Sequence, residues 1–114
     1  MSVKSDVLHG TLDLIVLQTL HSMGPQHAYG IAARLEQVSG DLLKLNQGTL
    51  YPALLKLGHR GWISTKWGQS QTGRRVKFYA ITRLGQRQLH TEEDDWQRAA
   101  GIVTKFFRLA RAGK

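Results

Sequence analysis

From Leu12 to Leu20 nearly every position is apolar, with Asp13, Gln18 and Thr19 as the breaks, and Met23-Gly24-Pro25 closes the run. This pattern predicts a helix. A helix apolar around most of its circumference needs cover on more than one side, and in so short a chain a partner subunit is the expected second cover. Ala28, Ile31, Leu35 and Val38 then fall on one stripe at three- and four-residue spacing, ended by Ser39-Gly40-Asp41, which predicts a second, amphipathic helix. Leu50, Ala53, Leu54 and Leu57 make another one-sided stripe, with Asn46 as N-cap and Gly58 and Gly61 behind it. They predict a third helix. Pro52 lies within its first turns, where a missing donor and a ring clash predict an irregular start.

Residues 62–68 are rich in β-formers, 69–73 are polar and turn-like, and 76–81 favour a strand again, so this stretch predicts a β-hairpin. Thr82 is the expected N-cap of a long final helix in which Leu89, Trp96, Val103 and Ala110 recur every seven residues, with Ala99 and Phe106 between. A seam of this kind requires another helix. Run from Arg83 to about Leu109, the helix would be roughly 40 Å long, more than a small domain can cover. The fold class expected is mostly α with a small β-hairpin. Residues 1–82 form a winged helix-turn-helix DNA-binding domain and 83–114 a C-terminal dimerisation helix, together one compact unit. In that architecture the third helix enters the major groove and the hairpin is the wing. The expected dimerisation residues are Leu12, Val16, Leu89, Trp96, Val103 and Phe106. Trp96, midway along the seam, is expected to approach its own copy as dimer core.

Charge sharpens the picture, because 16 Lys and Arg against 8 Asp and Glu give a formal +8. Between Leu42 and Thr91 stand Lys44, Lys56, Arg60, Lys66, Arg74, Arg75, Lys77, Arg83 and Arg87, and no acid. The third helix and hairpin should therefore carry a phosphate-binding face. With the leucines inward, Thr49, Pro52, Lys56 and His59 point outward, and Gln47, Tyr51 and Leu55 lie on the flanks. Gln47 is suited to adenine, Thr49 and Tyr51 to phosphates or bases, and Lys56 to phosphate or guanine. Arg74, Arg75 and Lys77, beside Gln71-Thr72-Gly73, suit a wing that tracks phosphates. Glu92 to Asp95 come early in the last helix and Lys105, Arg108 and Arg111 late. That order suits the helix dipole and also an antiparallel helix pair.

Other function classes lose support. There is no cysteine, hence no disulfide, zinc knuckle or cysteine nucleophile. His9, His21, His27, His59 and His90 are scattered without ligand spacing, and no nucleophile elbow or phosphate-cradling glycine loop is present. The expectation is no enzyme, no metal and no cofactor. Neither a signal peptide nor a membrane span is recognisable, which makes the cytoplasm the expected location.

Five blocks in order then carry a resemblance. They are Gly10-Thr11-Leu12-Asp13-Leu14, His27-Ala28-Tyr29-Gly30-Ile31-Ala32, Gln47-Gly48-Thr49-Leu50-Tyr51-Pro52-Ala53-Leu54, Arg60-Gly61-Trp62-Ile63, and Lys77-Phe78-Tyr79-Ala80-Ile81-Thr82 with Gly85. The chain from about Leu8 to Trp96 closely resembles the PadR family of transcriptional regulators, in its short form with a single C-terminal helix. The resemblance implies a winged helix-turn-helix, a C-terminal dimerisation region and, in most members, repression, in several cases responsive to aromatic compounds; it also implies a second reading of Trp96, as the wall of a pocket for a flat apolar effector. By position it implies DNA-facing roles for Gln47, Thr49, Tyr51, Pro52 and Lys56, and for Arg74, Arg75 and Lys77 in the wing. Ala28 departs from the glycine many members have there, at no cost to a helix start. The function expected is a homodimeric, sequence-specific repressor of a double-stranded DNA operator, relieved by a small aromatic or apolar effector. The rivals are a winged-helix protein-interaction module and a non-specific nucleic-acid-binding protein.

Overall fold

The computed structural model describes residues 2–40 and 47–113, with side chains described for 11–40 and 48–113. The elements run α1 (Ser2–Met23), β1 (Gln26–His27), α2 (Ala28–Val38), α3 (Gln47–His59), β2 (Ile63–Gln69), β3 (Arg75–Ile81) and α4 (Arg83–Ala112). The three strands form one antiparallel sheet in the order β1-β3-β2.

The first helix starts ten residues before the apolar run that predicted it, at Ser2, and stops where expected. Gly24, at φ +80°, donates its N–H to the Leu20 carbonyl and turns the chain. The apolar run from Leu12 to Leu20 is covered largely by the chain itself. Helices α2, α3 and α4 and strand β3 all pack on α1, and Leu12, Val16, Leu17 and Leu20 are buried by the chain's own residues. The expected dimer residues Leu12 (3% exposed), Val16 (0%) and Leu89 (5%) therefore belong to the chain's own core. They have no surface left to offer a partner, which corrects that part of the expectation.

Helix α2 has the expected stripe, with Ala28, Ile31 and Leu35 buried, although Val38 at its end is exposed. It is capped by a histidine: the His27 Nδ1 accepts the Gly30 N–H at 3.1 Å. Helix α3 buries Leu50, Ala53, Leu54 and Leu57 and runs unbroken through Pro52, without the irregular start expected. The carbonyl that loses its donor to Pro52 is that of Gly48, four residues earlier on an exposed turn, where solvent can satisfy it. The expected N-cap Asn46 lies outside the described residues, as does the Gln47 side chain.

Thr82 caps α4 as expected: its Oγ1 accepts the Gly85 N–H at 2.9 Å and donates to the Gly61 carbonyl at 2.6 Å. The cap thus ties the helix to the turn that ends α3. Gly85 is itself buried, and a Cβ there would collide with the Trp62 carbonyl oxygen and lie 2.8 Å from Ile81 Cγ1. After Leu89 no side chain of α4 is buried, and the 30-residue helix carries the molecule to 61 Å in its longest dimension. Glu92 to Asp95 begin in the third turn of α4 and its first turn holds no acid. The dipole explanation for that acidic block falls away, since the effect is confined to the terminal turns.

Candidate nucleic-acid interface

At about 100° per residue, Gly48, Tyr51, Pro52, Leu55 and His59 occupy one arc of α3, opposite Leu50 and Leu57. All five are exposed. Strand alternation puts Ile63, Thr65 and Trp67 of β2 on the same sheet face as Arg75, Lys77 and Tyr79 of β3. The inner end of that face, Ile63 and Tyr79, packs into the core, while the outer end leaves it and faces the arc of α3. A groove of about 890 Å³ results, with Tyr51, Pro52, Leu55 and His59 on one wall and Trp67, Arg75 and Lys77 on the other.

Trp67 organises the wing side of this groove. It pairs with Lys77 across the ladder and is 53% exposed. The Arg75 guanidinium carbon lies 4.5 Å from its ring centroid and the Lys77 Nζ 5.5 Å from it. Both cations are within range of a favourable interaction with the indole quadrupole. The hairpin turn is closed by its own hydrogen bonds: Ser70 N–H bonds the Arg74 carbonyl, Gly73 N–H bonds the Ser70 carbonyl, and Gly73 sits at φ +84°. Residue-by-residue reading of the sequence did not single out Trp67. Its signal was an aromatic residue two strand positions from Thr65 and opposite a basic pair, visible only once the register is known.

The candidates sort unequally. Arg75, Lys77, Tyr51 and Pro52 border the groove. Arg74 stands one residue outside β3 and lines the reverse of the wing with Val76, Phe78 and Pro25. Lys56 is turned aside: its Nζ lies 2.8 Å from the Asp13 Oδ2 of α1, on the flank of α3 that also carries half-buried Thr49. A partnered lysine on that flank is a weaker candidate for phosphate than the sequence implied. Below the groove, burial pushes the Tyr79 hydroxyl pKa above the usual tyrosine value, and the neighbouring Tyr51 adds to the rise.

Far from this face, the distal part of α4 exposes Trp96 (49%), Ile102, Val103, Phe106 and Phe107. Trp96, Val103 and Phe107 lie along one line of the helix with Phe106 beside them. Where α4 leaves α1, an apolar cleft of about 510 Å³ opens among α1, α2 and α4, bordered by Leu14, Ile15, Val38 and Trp96. Among the described residues no cluster of three or more His, Asp or Glu side chains could hold a metal. No described helix is long and apolar enough to cross a membrane.

Known proteins resemble the chain throughout. A transcriptional regulator from Clostridium thermocellum is 28% identical and superposes with a TM-score of 0.80, covering 90% of this chain and 95% of that one. A PadR family transcriptional regulator from Eggerthella lenta is 25% identical, with a TM-score of 0.80 over 93% of this chain and 89% of its own. An uncharacterized protein of Lysinibacillus sphaericus is 26% identical over 104 residues, 91% of this chain and 94% of that protein. Residues 16–91, which hold most of the core, the groove and the start of α4, match the transcriptional regulator PadR-like family. The chain belongs to that family of winged-helix, DNA-binding transcriptional regulators, which are not enzymes.

Proposed function

We propose that this regulator is a homodimeric repressor of a pseudo-palindromic operator, working in the cytoplasm. Each protomer is divided at Thr82 into a DNA-reading head and a dimerising tail. Helix α3 of each protomer enters one of two successive major grooves about one helical turn apart. Tyr51 and Pro52 face the duplex, Gln47 at the first turn of α3 and Thr49 on its flank serve the edge of the same site, and Arg75 and Lys77 hold the flanking phosphates, with Arg74 behind them on the wing. The observation that carries this reading is the Arg75–Trp67–Lys77 stack facing the exposed arc of α3 across one groove.

The tail supports the twofold assembly. Trp96, Val103, Phe106 and Phe107 form an apolar face on a solvent-exposed helix, and such a face is stable only when covered. An antiparallel partner helix would cover it and set Glu92 to Asp95 opposite Lys105, Arg108 and Arg111 of the second copy. The cleft beside Trp96 is apolar enough for a flat aromatic effector. Such a ligand relieves repression only by its differential affinity for the two spacings of the heads.

The test is a competition assay of the regulator's own upstream region against random duplex, repeated across salt concentrations. A preference of about a thousandfold or more with a steep salt slope is expected. Equal affinity for both duplexes would reduce the protein to a non-specific binder. Crosslinks between subunits should join residues 92–95 to 105–111, and crosslinks only between like positions would reject the antiparallel tail.

A further inference from the structure

We infer that α3 reads its half-site chiefly through thymine C5-methyl groups, with Leu55 as the principal contact and Tyr51 and Pro52 beside it, and not through guanine. The inference rests on the operator-binding reading above and specifies which base chemistry the groove is built for.

The side chains of the arc leave few alternatives. Guanine is read most strongly by a cation that places two donors, or an ammonium, on O6 and N7, which is the work of arginine or lysine. Lysine 56 is the only lysine or arginine in α3, and its ammonium is held by Asp13 on the side away from the groove. Among the described side chains of the arc, the polar atoms are the Tyr51 hydroxyl and the His59 imidazole. Between them stands Leu55, which is 62% exposed although it is central to a basic face.

An exposed leucine in that place has one apolar counterpart on a duplex. The major-groove edges of the base pairs present donors and acceptors, and the sole methyl among them belongs to thymine. Arg75 and Lys77 across the groove supply the charge that brings a polyanion to the surface. They leave α3 to discriminate by shape and apolar contact. Removing a methyl that is buried on binding should weaken the complex about fourfold.

The experiment starts from a random duplex pool selected with the full chain, and then replaces each thymine of the selected site by deoxyuridine, which deletes the methyl and keeps O4. One or two thymines per half-site should each show a loss of about fourfold. Leu55→Ala, at an exposed position that folding does not require, should bind thymine and deoxyuridine sites equally and keep the salt slope of the parent. Selected sites whose thymines all tolerate deoxyuridine, or whose required base is guanine, would overturn the inference while leaving operator binding intact. A Leu55→Ala protein that changes its oligomeric state and still distinguishes the methyl would also overturn it, by making Leu55 a protein contact. A pool that yields no enriched sequence would bring down the operator reading and this inference together.

Discussion

The Lys56 ammonium lies 2.8 Å from the Asp13 carboxylate, so the one strongly basic side chain of α3 braces that helix against α1. In the proposed binding mode charge and reading are thereby separated: cations of the wing would supply attraction, and a nearly neutral helix would supply contact. Lys56→Ala should lower stability by no more than about 1 kcal/mol, since the lysine end of the pair is half exposed. It should leave the salt dependence of DNA binding unchanged. Arg75→Ala should instead flatten the plot of log affinity against log salt by about one unit. Anisotropy titrations at four or five salt concentrations distinguish the two, and a one-unit loss for Lys56→Ala would return that lysine to the phosphates.

Trp67 acts through its neighbours. By stacking Arg75 at 4.5 Å and Lys77 at 5.5 Å from its ring centre, it holds two flexible cations in the geometry that binding would otherwise have to impose. Ordering a long side chain on association costs about 0.5–1.5 kcal/mol. Trp67→Leu should therefore weaken duplex binding by roughly tenfold with little change in salt slope, because the charges remain and only their order is lost. Trp67→Phe, which keeps a π face, should recover most of that loss. If leucine and phenylalanine variants bind alike, the stacking has no part in recognition.

Much of this was legible from spacing alone. The stripe Ala28, Ile31, Leu35 marked α2 to its ends, and Thr82 marked the start of α4, because amphipathic period and cap chemistry are local properties. What escaped is non-local. Strand β1 is two residues long and has no period of its own; it exists because β3 offers an unpaired edge to Gln26 and His27. Asp13 and Lys56 are far apart in sequence, so nothing in either local pattern announces their pairing. The seven-residue seam through Leu89 and Trp96 is continuous in sequence but changes its neighbour in space. Leu89 is buried in the chain's own core, and Trp96 lies beyond that cover. Periodicity reports that a face is apolar and not which surface covers it.

Gly85 fixes how closely α4 approaches the segment after α3. A Cβ there would meet the Trp62 carbonyl oxygen, and Trp62 is held by backbone bonds from its own N–H to Leu57 and from the Thr82 N–H to its carbonyl. The backbone has no cheap way to yield. Gly85→Ala should destabilise the fold by about 1–3 kcal/mol, lowering the thermal midpoint by roughly 5–15 °C. Gly101→Ala on the same helix is the matched control: a Cβ there meets nothing within 4 Å, and alanine should be neutral or raise stability by up to about 1 kcal/mol. Equal midpoints for the two variants would show that the close approach at Trp62 is not needed.

Tyr79 gives the fold a limit on its alkaline side. Its pKa is raised in the folded protein, first by burial and then by Tyr51, so the folded state holds the phenolic proton more tightly than the unfolded chain does. Below the ordinary tyrosine value of about 10 both states are protonated and the full stability is present. As the pH climbs through that value the unfolded chain releases the proton and the folded one retains it, so stability falls until the raised pKa is passed. Tyr79→Phe removes the titrating group while keeping most of the ring packing against Ile63 and the α3 core. Urea midpoints measured from about pH 8 to pH 11 should therefore fall more steeply for the parent than for Tyr79→Phe once the pH exceeds about 10. Parallel curves across that interval would mean that the hydroxyl is as free to ionise in the folded protein as in the unfolded chain, contrary to its burial beneath the groove.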